Sequence, residues 1–192
     1  MKTKKLSGTD TLQRLEELTE LVADVVGHGA SLGFGLPLVR SDVQAYWRIV
    51  AGEVASGRKE LFVALDERGR VQGSAQLALE SRTGGRHCAD VQKVMVRHAR
   101  RGQGIGAVLM HRLEDAAWLA GRTVLFLDAG KGASGATDFC RRLGYTFAGS
   151  MPDGAGNLGG RLAASVLFYK PLPASHSVAG SAVETAPRVL AG

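Results

Sequence analysis

Val91-Gln92-Lys93-Val94-Met95-Val96, then Arg101-Gly102-Gln103-Gly104-Ile105-Gly106, then an apolar run from Ala107 to Ala120, is the stretch whose reading decides the fold. It spells a strand, a glycine loop and a helix. Glycine has no Cβ, so such a loop turns sharply and lets a ligand approach the backbone. The first N–H groups of a helix have no intrahelical partner, and the helix dipole adds partial positive charge there. Together these make a site for phosphate or pyrophosphate. Arg97, Arg100 and Arg101 place full positive charges beside it. The loop is not a Walker A loop, because no Gly-Lys-Ser/Thr follows. It also lacks the third spaced glycine of a dinucleotide fingerprint, since Val108 and Leu109 simply continue the helix.

The pattern around the loop is more specific. A hydrophobic strand, then Arg101-x-x-Gly104-x-Gly106, then an apolar helix resembles the acetyl-coenzyme A loop of the GNAT family of N-acetyltransferases. The strand Val124 to Leu127, a short helix, and Arg142-Leu143-Gly144-Tyr145-Thr146-Phe147 extend the likeness over roughly residues 9 to 172. The resemblance implies an α/β fold: a mixed central sheet with flanking helices, whose two parallel strands splay apart. It implies acetyl-coenzyme A as cosubstrate, with the pantetheine arm against the backbone of Val94, Met95 and Val96. The pyrophosphate would lie on Arg101, Gly102, Gln103, Gly104, Ile105 and Gly106, with a further contact at Ser134.

A closer resemblance rests on Gly29 to Phe34, Ser74-Ala75-Gln76-Leu77, Ala89 to Val96 and Leu127-Asp128, which look like the tabtoxin-resistance branch. Those enzymes acetylate a small amino-acid-like β-lactam toxin. Asp90 stands where that branch carries Glu, and Asp128 matches its Asp. Both acids are implied to handle the acceptor amine. In many family members the short helix carries Phe-Tyr, and the Tyr protonates the leaving thiolate. Here the pair is Phe139-Cys140, which reads as a core cysteine, since free Cys is most often buried.

The residues themselves support the same chemistry. The attacking amine must lose a proton, so a carboxylate near the gap is a natural base. Strict alternation along the strand puts Asp90, Gln92, Val94 and Val96 on one face. Asp128 ends an apolar strand, where ligands bind in such sheets. Gln92 is placed to orient Asp90 or the acceptor. His28 and Phe34, in the glycine-rich loop 27–37, are candidate acceptor contacts, and His28 has a suitable ordinary pKa. Trp47 reads as core, because Val43, Trp47, Val50 and Val54 share one helical face.

Composition bounds the rest. The 192 residues, 45% hydrophobic and 22% charged, suit one compact domain of residues 1–172, followed by a disordered tail of residues 173–192. No apolar run approaches the ~20 residues needed to span a bilayer. Cys88 and Cys140 form no metal or disulfide framework. These readings predict a cytoplasmic protein with no metal and no membrane partner. The net charge of +6 raises nucleic-acid binding, but no known signature for it is present, and the basic cluster beside the glycine loop suits a polyanionic cofactor. The expected partner is a small-molecule amine, with an antibiotic or toxin as a candidate, and a homodimer is common among the proteins it resembles. Two alternatives stand: acetylation of a protein or peptide amine, and coenzyme A sensing without catalysis.

The expected elements are helices over Asp10 to Val26, capped by Asp10 with Gln13, over Ser41 to Ala55, opened by a capping box of Ser41 and Gln44, and over Ala107 to Ala120. The expected strands are Leu61 to Leu65, Val71 to Leu79, Cys88 to Val96, Val124 to Leu127, Gly144 to Gly149 and Ala163 to Tyr169. A flexible loop is expected from Met151 to Gly160.

Overall fold

The computed structural model describes residues 1–30, 32–34, 36–130, 135–156 and 162–173. Seven strands form one sheet: β1 (Lys2–Leu6), β2 (Lys59–Leu65), β3 (Val71–Leu79), β4 (Cys88–Val96), β5 (Val124–Gly130), β6 (Thr146–Gly156) and β7 (Leu162–Pro171). Their order is β1-β2-β3-β4-β5-β7-β6. Only β4 and β5 pair in parallel; every other neighbour is antiparallel. Among the described residues five α-helices flank it: α1 (Gly8–Gln13), α2 (Leu15–Gly27), α3 (Arg40–Ala55), α4 (Ile105–Leu119) and α5 (Ala136–Arg142).

Alternation divides the apolar residues between two faces of the sheet. Leu61, Val63 and Leu65 pack with Leu6, Val71 and Met95 under α2 and α3, around a fully buried Trp47. Phe62, Ala64, Ala75, Leu77, Ala89, Val91, Leu125, Leu127, Val166 and Phe168 pack under α4, around Leu109 and Leu113. Burial of these side chains is the main favourable contribution to folding. A half-buried ion pair, Lys170 Nζ to Glu114 Oε1 at 2.8 Å, ties β7 to α4.

Several boundaries differ from the sequence reading. The expected first helix is two, broken at Arg14. The Arg14 guanidinium donates to the Gly69 carbonyl at 3.0 Å and to Glu17 at 2.9 Å, which fastens the break to the β2–β3 turn. The cap is Ser7, in a box with Asp10, and not Asp10 itself. The capping box expected at Ser41 and Gln44 is also absent. Gln44 donates instead to Glu16 of α2 at 2.7 Å, and α3 starts after an uncapped Val39. β1 escaped the sequence reading because Lys2, Lys4 and Lys5 dominate it, as suits an exposed sheet edge. The loop expected from Met151 is strand as far as Gly156. Apart from Pro173, the expected tail lies outside the described residues, as do residues 157–161.

Gly73, opposite Val96, fixes how closely α4 lies on the sheet. A Cβ there would stand 2.7 Å from the Met95 carbonyl oxygen, 3.2 Å from Leu109 Cδ1 and 3.4 Å from Ile105 Cγ2. Gly73→Val is therefore expected to cost about 1–3 kcal/mol of stability through overpacking, read as a lower midpoint in urea denaturation.

Candidate active site

The ladder between β4 and β5 is short. Cys88 pairs with Val124, Ala89 with Leu125 and Asp90 with Phe126, and there it stops. Both strands continue, β4 to Val96 and β5 to Gly130, with no ladder between them. The backbone of Val94, Met95 and Val96 therefore lacks a β5 partner, although Met95 and Val96 remain paired to β3. The chain then passes through a single 3-10 turn, residues 98–100, into the glycine loop.

Gly102 and Gly104 both lie in the left-handed region, at φ +75° and +77°. A Cβ on either would project into open space, so nothing of the protein crowds the approach. Gly104 caps α4 without a side-chain hydrogen bond. The Val108 N–H is the first to reach a carbonyl across this end, that of Gly104 at 3.1 Å. The N–H groups of Ile105, Gly106 and Ala107 precede it, at the positive end of the dipole. Ile105 sends its side chain into the core, which anchors the loop. Gly106 lies against Phe139 of α5, where an added Cβ would come within 3.1 Å of the ring. Arg101, exposed, donates to the Val96 carbonyl at 3.4 Å. The donor set at this helix end fits a pyrophosphate.

Across the unpaired stretch, β4 carries a bulge. Ser74 faces Met95 and Gln76 faces Gln92, so one residue of β3, Ala75, is opposed by two of β4, Lys93 and Val94. Lys93 takes up the difference at φ +49°, the one non-glycine residue with positive φ among the described residues. This overturns the alternation expected from sequence. Asp90 and Gln92 lie on the face of α3 together with Met95, whereas Val94 and Val96 pack toward α4. Asp128 lies on the same face as Asp90, since its neighbours Leu125 and Leu127 point into the α4 core.

A polar cluster surrounds Asp90. Gln92 Nε2 donates to Asp90 Oδ2 at 2.5 Å. Lys59, only 7% exposed, donates to Gln92 Oε1 at 3.0 Å and Gln76 Oε1 at 3.2 Å. The Lys59 ammonium also pairs with Glu53 of α3 at 3.0 Å. Tyr46 donates to the same Gln76 oxygen at 2.8 Å, and Phe34 meets the Tyr46 ring edge-on at 5.4 Å. Burial pushes the Asp90 carboxyl above the usual range. The Gln92 hydrogen bond pulls it back, and the Asp128 charge pushes it further up.

The structure thus brings Asp90, Asp128, Gln92 and Phe34 to one side of the sheet. His28 is not with them: it closes α2 and stacks on His98 at 3.9 Å, at the far end of β4. Ser134 lies outside the described residues. Cys140 is buried in the α4 core with its thiol pushed up to about 11 by burial, so it is packing. Sequence reading gave no role to Tyr46, Lys59 or Glu53. The available signals were a polar Gln76 inside the apolar strand Val71–Leu79 and a lysine opening the apolar strand Lys59–Leu65. Among the described residues, no group of His, Cys, Asp and Glu is placed to hold a metal ion, and no helix is long and apolar enough to cross a membrane.

Comparison with known proteins agrees with this geometry. Residues 36–145 match the model of the acetyltransferase (GNAT) family. Solved structures share the fold. A ribosomal-protein-alanine N-acetyltransferase from Brucella melitensis superposes with a TM-score of 0.73 at 22% identity, over 90% of this chain and 100% of its own. A phosphinothricin acetyltransferase from Sinorhizobium meliloti, solved with acetyl-coenzyme A, gives 0.71 at 22% identity over 98% and 94%. A GCN5-related N-acetyltransferase from Kribbella flavida gives 0.71 at 21% identity over 88% and 98%.

Gly104→Asp would put a side chain and a negative charge into the open cradle, at a backbone angle that favours glycine. Coenzyme A affinity, read by titration calorimetry, is expected to fall at least about tenfold, more than one neutral hydrogen bond contributes.

Proposed function

The chain belongs to the acetyltransferase (GNAT) family, and from that premise we propose that it moves an acetyl group from acetyl-coenzyme A to the amine of a small, amino-acid-like molecule. The observation that carries the reading is the gap between β4 and β5, flanked by the amide end of α4 and by the Asp90–Asp128 face. The reading places the enzyme in the cytoplasm, with a toxin or antibiotic as acceptor, as the likeness to the tabtoxin-resistance branch suggests. The phosphinothricin acetyltransferase among the similar structures supports a small acceptor of this kind.

Val94 to Val96 and the N–H groups of residues 105–107 hold the cosubstrate, with Arg101 adding charge at its pyrophosphate. The acceptor arrives as an ammonium, drawn by Asp90 and Asp128. Asp90 takes its proton. A half-buried carboxylate whose proton affinity has risen is a better base than an exposed one. The neutral amine attacks the thioester carbonyl, the C–N bond forms, and the C–S bond breaks. The coenzyme leaves as a thiolate and takes a proton from water, since the Cys140 thiol is sealed in the core. Gln92 positions Asp90, and Lys59 positions Gln92.

Free thiol release from acetyl-coenzyme A with a panel of amines tests the reading. Acceptor-dependent release supports it. Coenzyme binding without release across amino acids, β-lactam toxin analogues, aminoglycosides, polyamines and short peptides would favour a sensor. Asp90→Asn is expected to lower kcat by about 10²-fold or more, the usual contribution of a general base. The pH profile carries a second prediction. Activity should rise as Asp90 loses its proton, on a limb above the ordinary carboxylate range. The Gln92 hydrogen bond favours the charged form, so Gln92→Leu should move that limb to higher pH. Removing the Asp128 charge with Asp128→Asn should move the residual activity's limb to lower pH.

A further inference from the structure

Two lysines act on the Asp90 carboxylate, and they differ in one respect. Lys59 is fully engaged, held by Glu53, Gln76 and Gln92 at 3.0 to 3.2 Å. Lys93 is not. Its ammonium makes no hydrogen bond and no ion pair with any described residue. It lies over the face of the Tyr46 ring, 5.7 Å from ring centroid to Nζ. Yet it is largely enclosed: burial pulls its pKa down, while the charges of Asp128 and Asp90 act to raise it. A half-buried ammonium held by no hydrogen bond or ion pair is costly, and such a group is normally paired directly.

The backbone at Lys93 is unusual as well. A lysine at φ +49° is uncommon and carries strain. The bulge turns this side chain onto the face of Asp90, Gln92 and Tyr46, a position that unbroken alternation would have denied to residue 93. Asp90 and Lys93 stand three residues apart, roughly 10 Å of strand at most, and a bulge shortens that span. One small molecule can reach both.

We infer that Lys93 is the specificity residue of the acceptor site and takes the carboxylate, or an equivalent anionic group, of a zwitterionic acceptor whose amine lies at Asp90 and Asp128. The inference rests on the acetyltransfer reading above and narrows it. An α-amino acid or a close analogue satisfies both ends. A polyamine or aminoglycoside brings only positive charge and meets Lys93 as a repulsive neighbour. A peptide N-terminus offers a neutral amide where the carboxylate should be.

The test compares an amino acid with its own primary amide as acceptors, following thiol release, for the wild type, Lys93→Asn and Lys93→Arg. Asparagine removes the charge while tolerating the left-handed backbone better than most residues. For the wild type, kcat/KM should favour the acid over the amide by about tenfold or more, the scale of one hydrogen bond to a charged group. In Lys93→Asn that ratio should collapse to about threefold or less, chiefly through the acceptor KM, with the KM for acetyl-coenzyme A little changed. Lys93→Arg should restore part of the preference. A wild type that shows no preference for any acid over its amide overturns the inference without recourse to a variant. An unchanged ratio in Lys93→Asn does the same, and both leave the acetyltransfer reading standing. A wild type that binds coenzyme A but acetylates nothing overturns both.

Discussion

Three residue pairs hold the two halves of this sheet together. The parallel ladder from Cys88–Val124 to Asp90–Phe126 is the only strand pairing among the described residues between the meander β1–β4 and the antiparallel group β5–β7–β6. A longer ladder would close the gap and consume the backbone groups of β4 that the proposed function needs. A shorter one would leave α4 as the sole bridge. The helix makes the short ladder tolerable, because Ile105, Leu109 and Leu113 pack against residues from both halves in a single core. Gly73 lets the helix lie close enough to do so, and the loop that precedes the helix is thereby fixed at the mouth of the gap.

The bulge at Lys93 is the second constraint. It lies on the part of β4 that has lost its β5 partner, where one strand edge is free to bend. Its effect is to reassign faces. Upstream, Ala89 and Val91 point toward α4; downstream, Val94 and Val96 do. Strict alternation cannot do both, and the extra residue is what reconciles them. The polar residues gathered on the opposite face are then held by one buried lysine. Lys59 holds Gln92 and Gln76 in place through their side-chain oxygens, which leaves Gln92 its amide N–H for Asp90 and brings Tyr46 to Gln76. A positive charge sealed in a sheet needs a nearby carboxylate, and Glu53 on α3 supplies it.

The fold was legible where pattern and chemistry coincide. β3 and β4 begin and end where alternation and turn residues say they should, and α4 follows from the glycine loop with only small shifts at its ends. The misses share a cause: a tertiary partner overrode a local rule. Arg14 breaks a continuous helical period because the Gly69 carbonyl is within reach, and Gln44 abandons a capping box for Glu16. Asp90 and Asp128 were readable as candidate acids, and the structure sets them on one face. Their surroundings were not readable, because Tyr46, Lys59 and Glu53 are distant in sequence and meet only when α3 lies on the sheet. No periodicity announces a bulge, so the face assigned to Val94 and Val96 was wrong for a reason that lies in strand pairing alone.

The burial of Cys140 has a practical consequence for handling this protein. Nucleophilic attack by cysteine requires an accessible thiolate. The Cys140 sulfur is packed beneath α4, with its proton held more firmly than in water, and so it is shielded from oxidants, alkylating agents and disulfide reagents alike. Cys88, half-buried at the start of β4, is the more accessible of the two free thiols. In the native protein a thiol titration should therefore count at most one equivalent promptly, and a second equivalent that emerges with time reports opening of the α4 core.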